Sequence, residues 1–530
     1  MKKRKLGSYY TPQRLANYIA QYSIRNLNDE IIDILEPSVG NGNFVQAISS
    51  AFPKNLTSEV NFIVVESELE ELHKAIKKNH SEVSLSTFHS DYLDFHSENN
   101  MQFSLIIGNP PYVKSSLLNK SQRIKCNSIH QESNLKDRQI NNIWSAFLVS
   151  AVQKLKDNGI LSFVLPLELL QVKFSEEIRD FLKTSFARLE IFMFDELQFQ
   201  ECKGQDTVWI VGYKQHTETG TFYTTIKNIE DLEKEEFNLV QNISVSESNT
   251  KWTHHFLAPD EHTFLSKLKA ELNTTSFYLN NKAGIVTAAN KFFIVDEQTV
   301  KQYKLHSYVK PIVQKGCYVN GSITFEKEDF DYLRETNKPT YLLDFNNVNP
   351  NKIPQGLNAY LSEGVKQKLP ERFKCKQRKH WYKIPNIAPQ SEAFFFKRAH
   401  DYPKFLLNNA DAYVTDSAYM IESNQEYQIE NLVFSFYNSL TLAFAELEGR
   451  YYGGGVLEIT PNEFRALPIP YIENNDFQFY KLSFHTKNGI DDILSANDFS
   501  ILNTSLKLNN DEIKKIQLIR KKLIKRRMKK

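Results

Sequence analysis

Over roughly the first 215 residues, short apolar runs alternate with segments of helical period, and this alternation restricts the possible folds more than any other feature. IDILEP, NFIVVE, FSLIIG, GILSFVLP, RLEIFMF and DTVWIVGY read as strands. Between them, LANYIAQYSIRNL, FVQAISSAF, LEELHKAIKKN, WSAFLVSAVQKL and EEIRDFLKTSF repeat apolar residues every three to four positions, as helices do. Strand–helix–strand units of this kind cover both faces of a mostly parallel sheet, so the expected architecture is α/β and doubly wound. Ligands of such sheets bind at the carboxyl ends of the strands.

The pattern weakens after Tyr213, and QNISVSESNTKW (Gln241 to Trp252) reads as a linker. Beyond it, aromatic-rich strand-like pieces are broken by Asn, Pro and Gly clusters such as DFNNVNPNKIPQG. A helical run spans Gln428 to Glu448, and a basic amphipathic helix ends the chain. With 530 residues the chain exceeds one ordinary core. The expected division is a first domain over 1–245, a mixed α+β domain over 246–475 and a basic helical extension over 476–530. No run approaches the ~20 apolar residues of a membrane helix, and the basic N-terminus has no apolar stretch behind it. The four cysteines stand far apart without a CxxC pair. A reducing cytoplasm is therefore expected, with neither a disulfide framework nor a metal site.

The net charge of +2 hides an asymmetry. From Asp511 to Lys530 there are ten Lys/Arg against two acids, and Lys366 to Lys383 carries eight Lys/Arg against one Glu, interleaved with Phe373, Trp381 and Tyr382. Basic side chains among rings suit a surface that follows phosphates. Lys374, Lys376, Arg378, Lys379 and Trp381 are its candidate contacts; a merely solvated charged face is the alternative.

The chemistry clusters at strand ends. After IDILEP comes SVGNGNF, where Gly40 and Gly42 permit a tight turn and bring backbone N–H groups near a ligand at a helix start. The third glycine of a dinucleotide loop is absent, and no Lys-Ser/Thr follows, which excludes a P-loop. Glu66 ends NFIVVE, where a carboxylate can accept from both hydroxyls of a ribose. Asp91, in HSDYLDF, falls where a third strand should end and could accept from an exocyclic amine. The sharpest signal is Asn109-Pro110-Pro111-Tyr112 after FSLIIG. The two prolines fix the backbone and remove donors. The Asn109 side-chain carbonyl and the Pro110 carbonyl can then accept both protons of a base's amino group, and Tyr112 offers a ring for stacking.

Taken in order, GSYYTP, LEPSVGNG, VVES, SDYL, IIGNPPY and GILSFVLP resemble the amino-directed DNA methyltransferases of the gamma arrangement from bacterial restriction–modification systems. The likeness is close over residues 7–213 and looser through GIVTAANKFF and RYYGGGVLEITPNEFRALPIP. It implies a Rossmann-like, S-adenosylmethionine-dependent methyltransferase domain followed by a DNA target-recognition domain. It also implies adenine N6 as the target, double-stranded DNA as substrate with base flipping, and a separately encoded restriction endonuclease as a candidate partner. By the same resemblance Thr11 holds the cofactor's carboxylate, and Glu36, Gly40 and Gly42 surround its methionine and ribose. Glu66 takes the ribose, Asp91 reads the adenine, and Asn109, Pro110 and Tyr112 hold the target amine. Phe199, with Phe194 as substitute, supplies a second stacking ring. Asn41 and Asn43 around Gly42 depart from the small residues usual there.

Two rival substrates suit the same turn: a protein glutamine amide and an RNA adenine. A rival of another class is a DNA-binding protein on a methyltransferase fold that no longer catalyses. A fused nuclease is not expected, since no Asp…Glu-x-Lys site stands out. Methyl transfer itself needs no metal.

Overall fold

In the computed structural model the described residues are all except 1–9, 28, 53–57, 80–82, 137–139, 196–205, 242–250, 320–322, 453, 474–476, 479–480, 483–488 and 529–530. The chain divides into two compact units, 1–263 with the short pieces 452–454 and 528–530, and 264–451 with 455–527. The expected linker falls largely within 242–250, outside the described residues.

The first unit alternates as its sequence period requires. In order it runs α1 (Gln13–Ile24), β1 (Ile31–Glu36), α2 (Asn43–Ala51), β2 (Glu59–Glu66), α3 (Leu69–Ile76), β3 (Ser84–His89), α4 (Tyr92–Glu98), β4 (Phe103–Gly108), α5 (Lys120–Glu132), α6 (Trp144–Gln153), β5 (Leu155–Pro166), α7 (Glu176–Ser185), β6 (Arg188–Phe194), β7 (Thr207–Tyr213) and β8 (Gly220–Ile226), closing with the two-residue β9 (Val240–Gln241). The strands form one nine-stranded sheet in the order β3-β2-β1-β4-β5-β7-β6-β8-β9. β1 to β5 pair in parallel, whereas β7 enters antiparallel between β5 and β6. β1 lies at the switch point, where the order reverses, and its carboxyl end is where such sheets bind ligands.

Burial explains the register. Ile34 of β1, Phe62 and Val64 of β2, and Leu105 and Ile107 of β4 share a core with Leu15 and Ile19 of α1 and Val45 and Ile48 of α2. Phe192 of β6 stacks on Trp209 of β7 at 4.1 Å between ring centroids. The Trp209 indole donates to Ser162 Oγ at 3.0 Å, so the buried N–H is satisfied. Phe194, the substitute for the second stacking ring, belongs to this core. α6 ends two residues short of the helical pattern in the sequence because Leu155 leaves to pair with Phe103.

The second unit is mixed α+β. A five-stranded sheet runs in the order Leu279–Ala283, Ala418–Ser423, Ala393–Phe396, Lys404–Asn408, Thr324–Phe325. A four-stranded sheet is built from Ile294–Val295, Tyr341–Leu343, Val309–Val313 and Tyr413–Val414. The single helical run expected over Gln428 to Glu448 is two helices, Ile429–Phe436 and Ser439–Glu448. Asn438 breaks it: its extended backbone caps the second helix, and its side chain accepts from Thr441 N. The buried Asp498 carboxylate takes the next donors, Ser439 N at 2.6 Å and Ser439 Oγ at 2.7 Å.

The C-terminal helix, Asn510–Met528, turns Ile513, Ile516, Ile519 and Leu523 inward and leaves Lys514, Lys521, Lys522 and Lys525 exposed. Part of its charge is engaged within the fold, and exposed Lys521 itself reaches Asp491 at 3.8 Å. Arg520 pairs with Asp491, and buried Arg527 forms a two-pronged pair with Glu446, at 2.7 and 2.9 Å. No described helix is long and apolar enough to cross a membrane.

Candidate active site

Above the carboxyl ends of β1, β2 and β4 lies a cleft of about 480 Å³. Thr11, Glu36, Gly40, Glu66, Asp91 and Asn109 all line it, so residues spread over almost a hundred positions of sequence converge on one space. Pro111 lines it too, whereas Gly42, Pro110 and Tyr112 stand behind their neighbours.

The glycine turn follows β1 because its backbone demands it. Gly40 and Gly42 have φ of +50° and +77°, a region L-residues enter at a cost. A Cβ on Gly42 would stand 2.5 Å from Ala75 Cα, and one on Gly40 would meet the Tyr10 ring at 2.8 Å. Gly42 thereby delivers the chain into the first turn of α2.

The acids are tied into the turn before any ligand is considered. Glu66 accepts from Gly40 N at 2.9 Å through one oxygen and from Glu68 N at 3.0 Å through the other. Asp91 is not the end of β3 but the cap of α4: one oxygen accepts from Leu93 N at 3.0 Å, the other from Gln122 Nε2 at 2.9 Å. Glu36 differs. It is 2% exposed, and its Oε2 has no hydrogen-bond partner among the described residues. Burial, with the Glu66 charge beside it, pushes its carboxyl well above the usual range, against the opposing pull of Lys78.

Thr11 joins the parts. Its hydroxyl accepts from Asn109 Nδ2 at 3.3 Å and its carbonyl from Asn43 Nδ2 at 2.7 Å. The Asn109 carbonyl accepts from Ser38 Oγ at 3.3 Å. The Asn109–Tyr112 turn, the segment before α1 and the glycine turn are thus one hydrogen-bonded assembly. Asn43, which the sequence marked only as a departure, is a structural tie, and Lys78 bonds its side-chain oxygen. Ser38 stands in the SVGNGNF motif without a role of its own there, and Gln122 and Lys78 have no motif to announce them; only the folded sheet brings them together. Tyr112 is 8% exposed, with its hydroxyl donating to Val164 O at 3.2 Å, so its ring is packed and not open. Phe199 lies outside the described residues.

In the second unit the basic segment divides. Lys374, Lys376 and Lys379 are exposed, and Phe373 is 77% exposed. Arg378 instead donates to Thr287 O at 2.8 Å and Trp381 O at 3.2 Å, and Trp381 packs against Phe292 at 5.4 Å. Both hold the segment to its own unit.

A family model described as Eco57I restriction-modification methylase matches residues 12–199. A second, described as Type II methyltransferase M.Eco57I, C-terminal domain, matches 249–502. Type II methyltransferase M.AccI of Acinetobacter calcoaceticus is 23% identical over 482 residues, covering 87% of this chain and 84% of its own. Type II methyltransferase M.HincII of Haemophilus influenzae is 29% identical over 198 residues, 37% of this chain and 34% of that protein. Among solved structures, the Type IIL restriction-modification enzyme MmeI in complex with DNA shares the fold with a TM-score of 0.62 at 11% identity, over 97% of this chain and 75% of that one.

Proposed function

We propose that the chain is a restriction–modification DNA methyltransferase like the Eco57I type its two halves match, that it takes its methyl group from S-adenosylmethionine, and that it methylates adenine at N6 within a specific sequence of double-stranded DNA. The observation that carries this reading is the Asn109-Pro110-Pro111-Tyr112 turn at the end of β4, whose Asn109 and Pro111 line the same cleft as Thr11, Glu36, Glu66 and Asp91. Asn at the head of the turn, and a cofactor site that precedes the recognition region, favour adenine N6 over cytosine N4.

The cleft suits the cofactor. Glu36 is a buried carboxylate oxygen in want of a cation or donor, and the α-ammonium of S-adenosylmethionine is one. Thr11 would hold the carboxylate, Glu66 the ribose hydroxyls and Asp91 the adenine, while Gly40 and Gly42 let the backbone approach. S-adenosylmethionine supplies a methyl group on a sulfonium. The protein's part is to accept the two protons of the target amine on the Asn109 side chain and the Pro110 carbonyl, which draws the nitrogen lone pair out of conjugation and aims it. Positioning and fixed acceptors do this without a strong base.

A base inside a duplex cannot reach the cleft, so the nucleotide rotates out, at a cost of a few kcal/mol. Tyr112 and Phe199 are the stacking rings of this reading, and entry of the base must uncover the packed Tyr112. Residues 246–475 would read the sequence, with Lys374, Lys376 and Lys379 on phosphates and Arg378 and Trp381 supporting them. The extension over 476–530 adds basic surface. A separately encoded restriction endonuclease is the partner such a modification enzyme implies.

Nucleoside mass spectrometry tests the reading directly. DNA incubated with the purified chain and S-adenosylmethionine should gain N6-methyladenine. N4-methylcytosine in its place, or label entering RNA or protein glutamine but not DNA, overturns it.

A further inference from the structure

The segment after the Asn109–Tyr112 turn has a composition that amine binding does not use. From Pro110 to Gln131 there is no acidic residue, while Lys114, Lys120, Arg123 and Lys125 are spread along it. Lys125 is paired with Asp94, but Lys114, Lys120 and Arg123 are exposed. Among them stands Leu117, which lines the cleft and is nonetheless 66% exposed, so it sits on the rim. A single exposed leucine is ordinary on a protein surface. One held at the mouth of a functional cleft, on a segment that carries three exposed cations and no acid of its own, is not an ordinary surface residue, although Glu68 and Glu70 line the same cleft.

Its frame is stiff. Ser115 N donates to Asn141 O at 2.9 Å and Ile143 N to Val113 O at 2.9 Å, and Lys114 forms an antiparallel bridge with Asn142. Leu118 is buried beneath, and Asn119 and Gln122 exchange capping hydrogen bonds at the start of α5. Gln122 also ties this turn to Asp91. A side chain on a loose loop would be pushed aside by an approaching duplex, whereas Leu117 is braced from both sides.

We propose that Leu117 is a wedge that enters the base stack beside the target nucleotide, while Lys114, Lys120 and Arg123 hold the flanking phosphates. The proposal rests on the reading of the cleft as the site of an extrahelical adenine. Duplex DNA is the partner whose chemistry complements this surface, with phosphates outside and an apolar stack within. Insertion of an aliphatic side chain into a base step offsets part of the unstacking cost.

The experiment uses the full chain in single-turnover methylation of two duplexes. One pairs the target adenine with thymine; the other places it opposite an abasic site, so that little unstacking remains to be driven. Leu117→Ala should slow transfer on the order of 10-fold on the paired duplex and far less on the abasic one. Leu117→Met should restore most of the rate, and cofactor affinity and melting temperature should hold. Replacing Lys114, Lys120 and Arg123 together by Gln should flatten the slope of log affinity against log salt by roughly two to three. Equal losses on both duplexes, or none on either, overturn the wedge. A wild-type chain that methylates neither duplex overturns the functional reading itself, and the wedge with it.

Discussion

Asn109 bears on chemistry far more than on cofactor binding, which its side chain touches only through one long hydrogen bond to Thr11. Its amide nitrogen bonds Thr11, and none of the hydrogen bonds that shape the glycine turn runs through its side chain. Asn109→Ala should therefore lower kcat by about 100-fold or more, as loss of one charge-stabilising acceptor does, while calorimetry finds cofactor affinity little changed. Near-normal turnover would reduce the motif to a turn. Glu36 makes a pH-dependent prediction. Its folded carboxyl is raised above the ordinary 4.5 by burial and by Glu66. The protonated form is thus the one the cofactor-free fold favours, and the stability this gives is full below the ordinary value and lost as pH rises through the raised one. A bound ammonium reverses the preference, so within that window cofactor binding should release a proton and tighten as pH rises. Titrations in two buffers of different protonation enthalpy measure it, and Glu36→Gln should abolish it. Binding without proton release would mean that no cation meets Glu36. The sequence displayed Asn109, Glu66 and the two glycines because each stands beside a strand end. It could not display the state of Glu36, which depends on what β2 and β4 set around it in the folded sheet.

At the scale of elements, the C-terminal helix does two jobs that its composition blurs into one. Ten cations in twenty residues read as a phosphate surface, yet Arg527 is buried against Glu446 and Arg520 against Asp491. Arg527→Ala leaves a buried carboxylate without its partner, which costs on the order of 3–5 kcal/mol; the midpoint of denaturant unfolding should fall accordingly. Replacing the exposed Lys514, Lys521, Lys522 and Lys525 by Gln should leave that midpoint nearly unmoved and weaken DNA binding in a salt-dependent way. If the four-lysine variant unfolds early instead, the helix owes its place to those lysines. Element boundaries show the same limit of sequence reading. The break at Asn438 is invisible to apolar period because both flanking helices are almost wholly buried, so neither shows a polar face; only the polar cap distinguishes it.

For the molecule as a whole, the expected boundary near 245 and the end of the first compact unit at Thr263 differ in a way that experiment can exploit. Trp252 and His255 are buried within that unit. The His255 ring lies 4.8 Å from that of Tyr223 on β8, and the Tyr223 hydroxyl donates to Leu257 O at 3.2 Å. A fragment of residues 1–263 should stay soluble and bind S-adenosylmethionine without recognising a DNA sequence. One ending at 241 should be less stable, since it bares β8. Site-specific binding by the shorter or the longer fragment would assign recognition to the first unit. Apolar period could not place this limit, because Trp252 to Phe256 is a single short turn with no repeat to read. The latched acids carry a kinetic consequence as well. Glu66 and Asp91 already serve backbone amides and Gln122, so their orientations are set when the chain folds and need not wait for a visitor. Encounter should then be limited by diffusion and access alone. Residence time, not capture, becomes the quantity on which differences in cofactor affinity among variants are written.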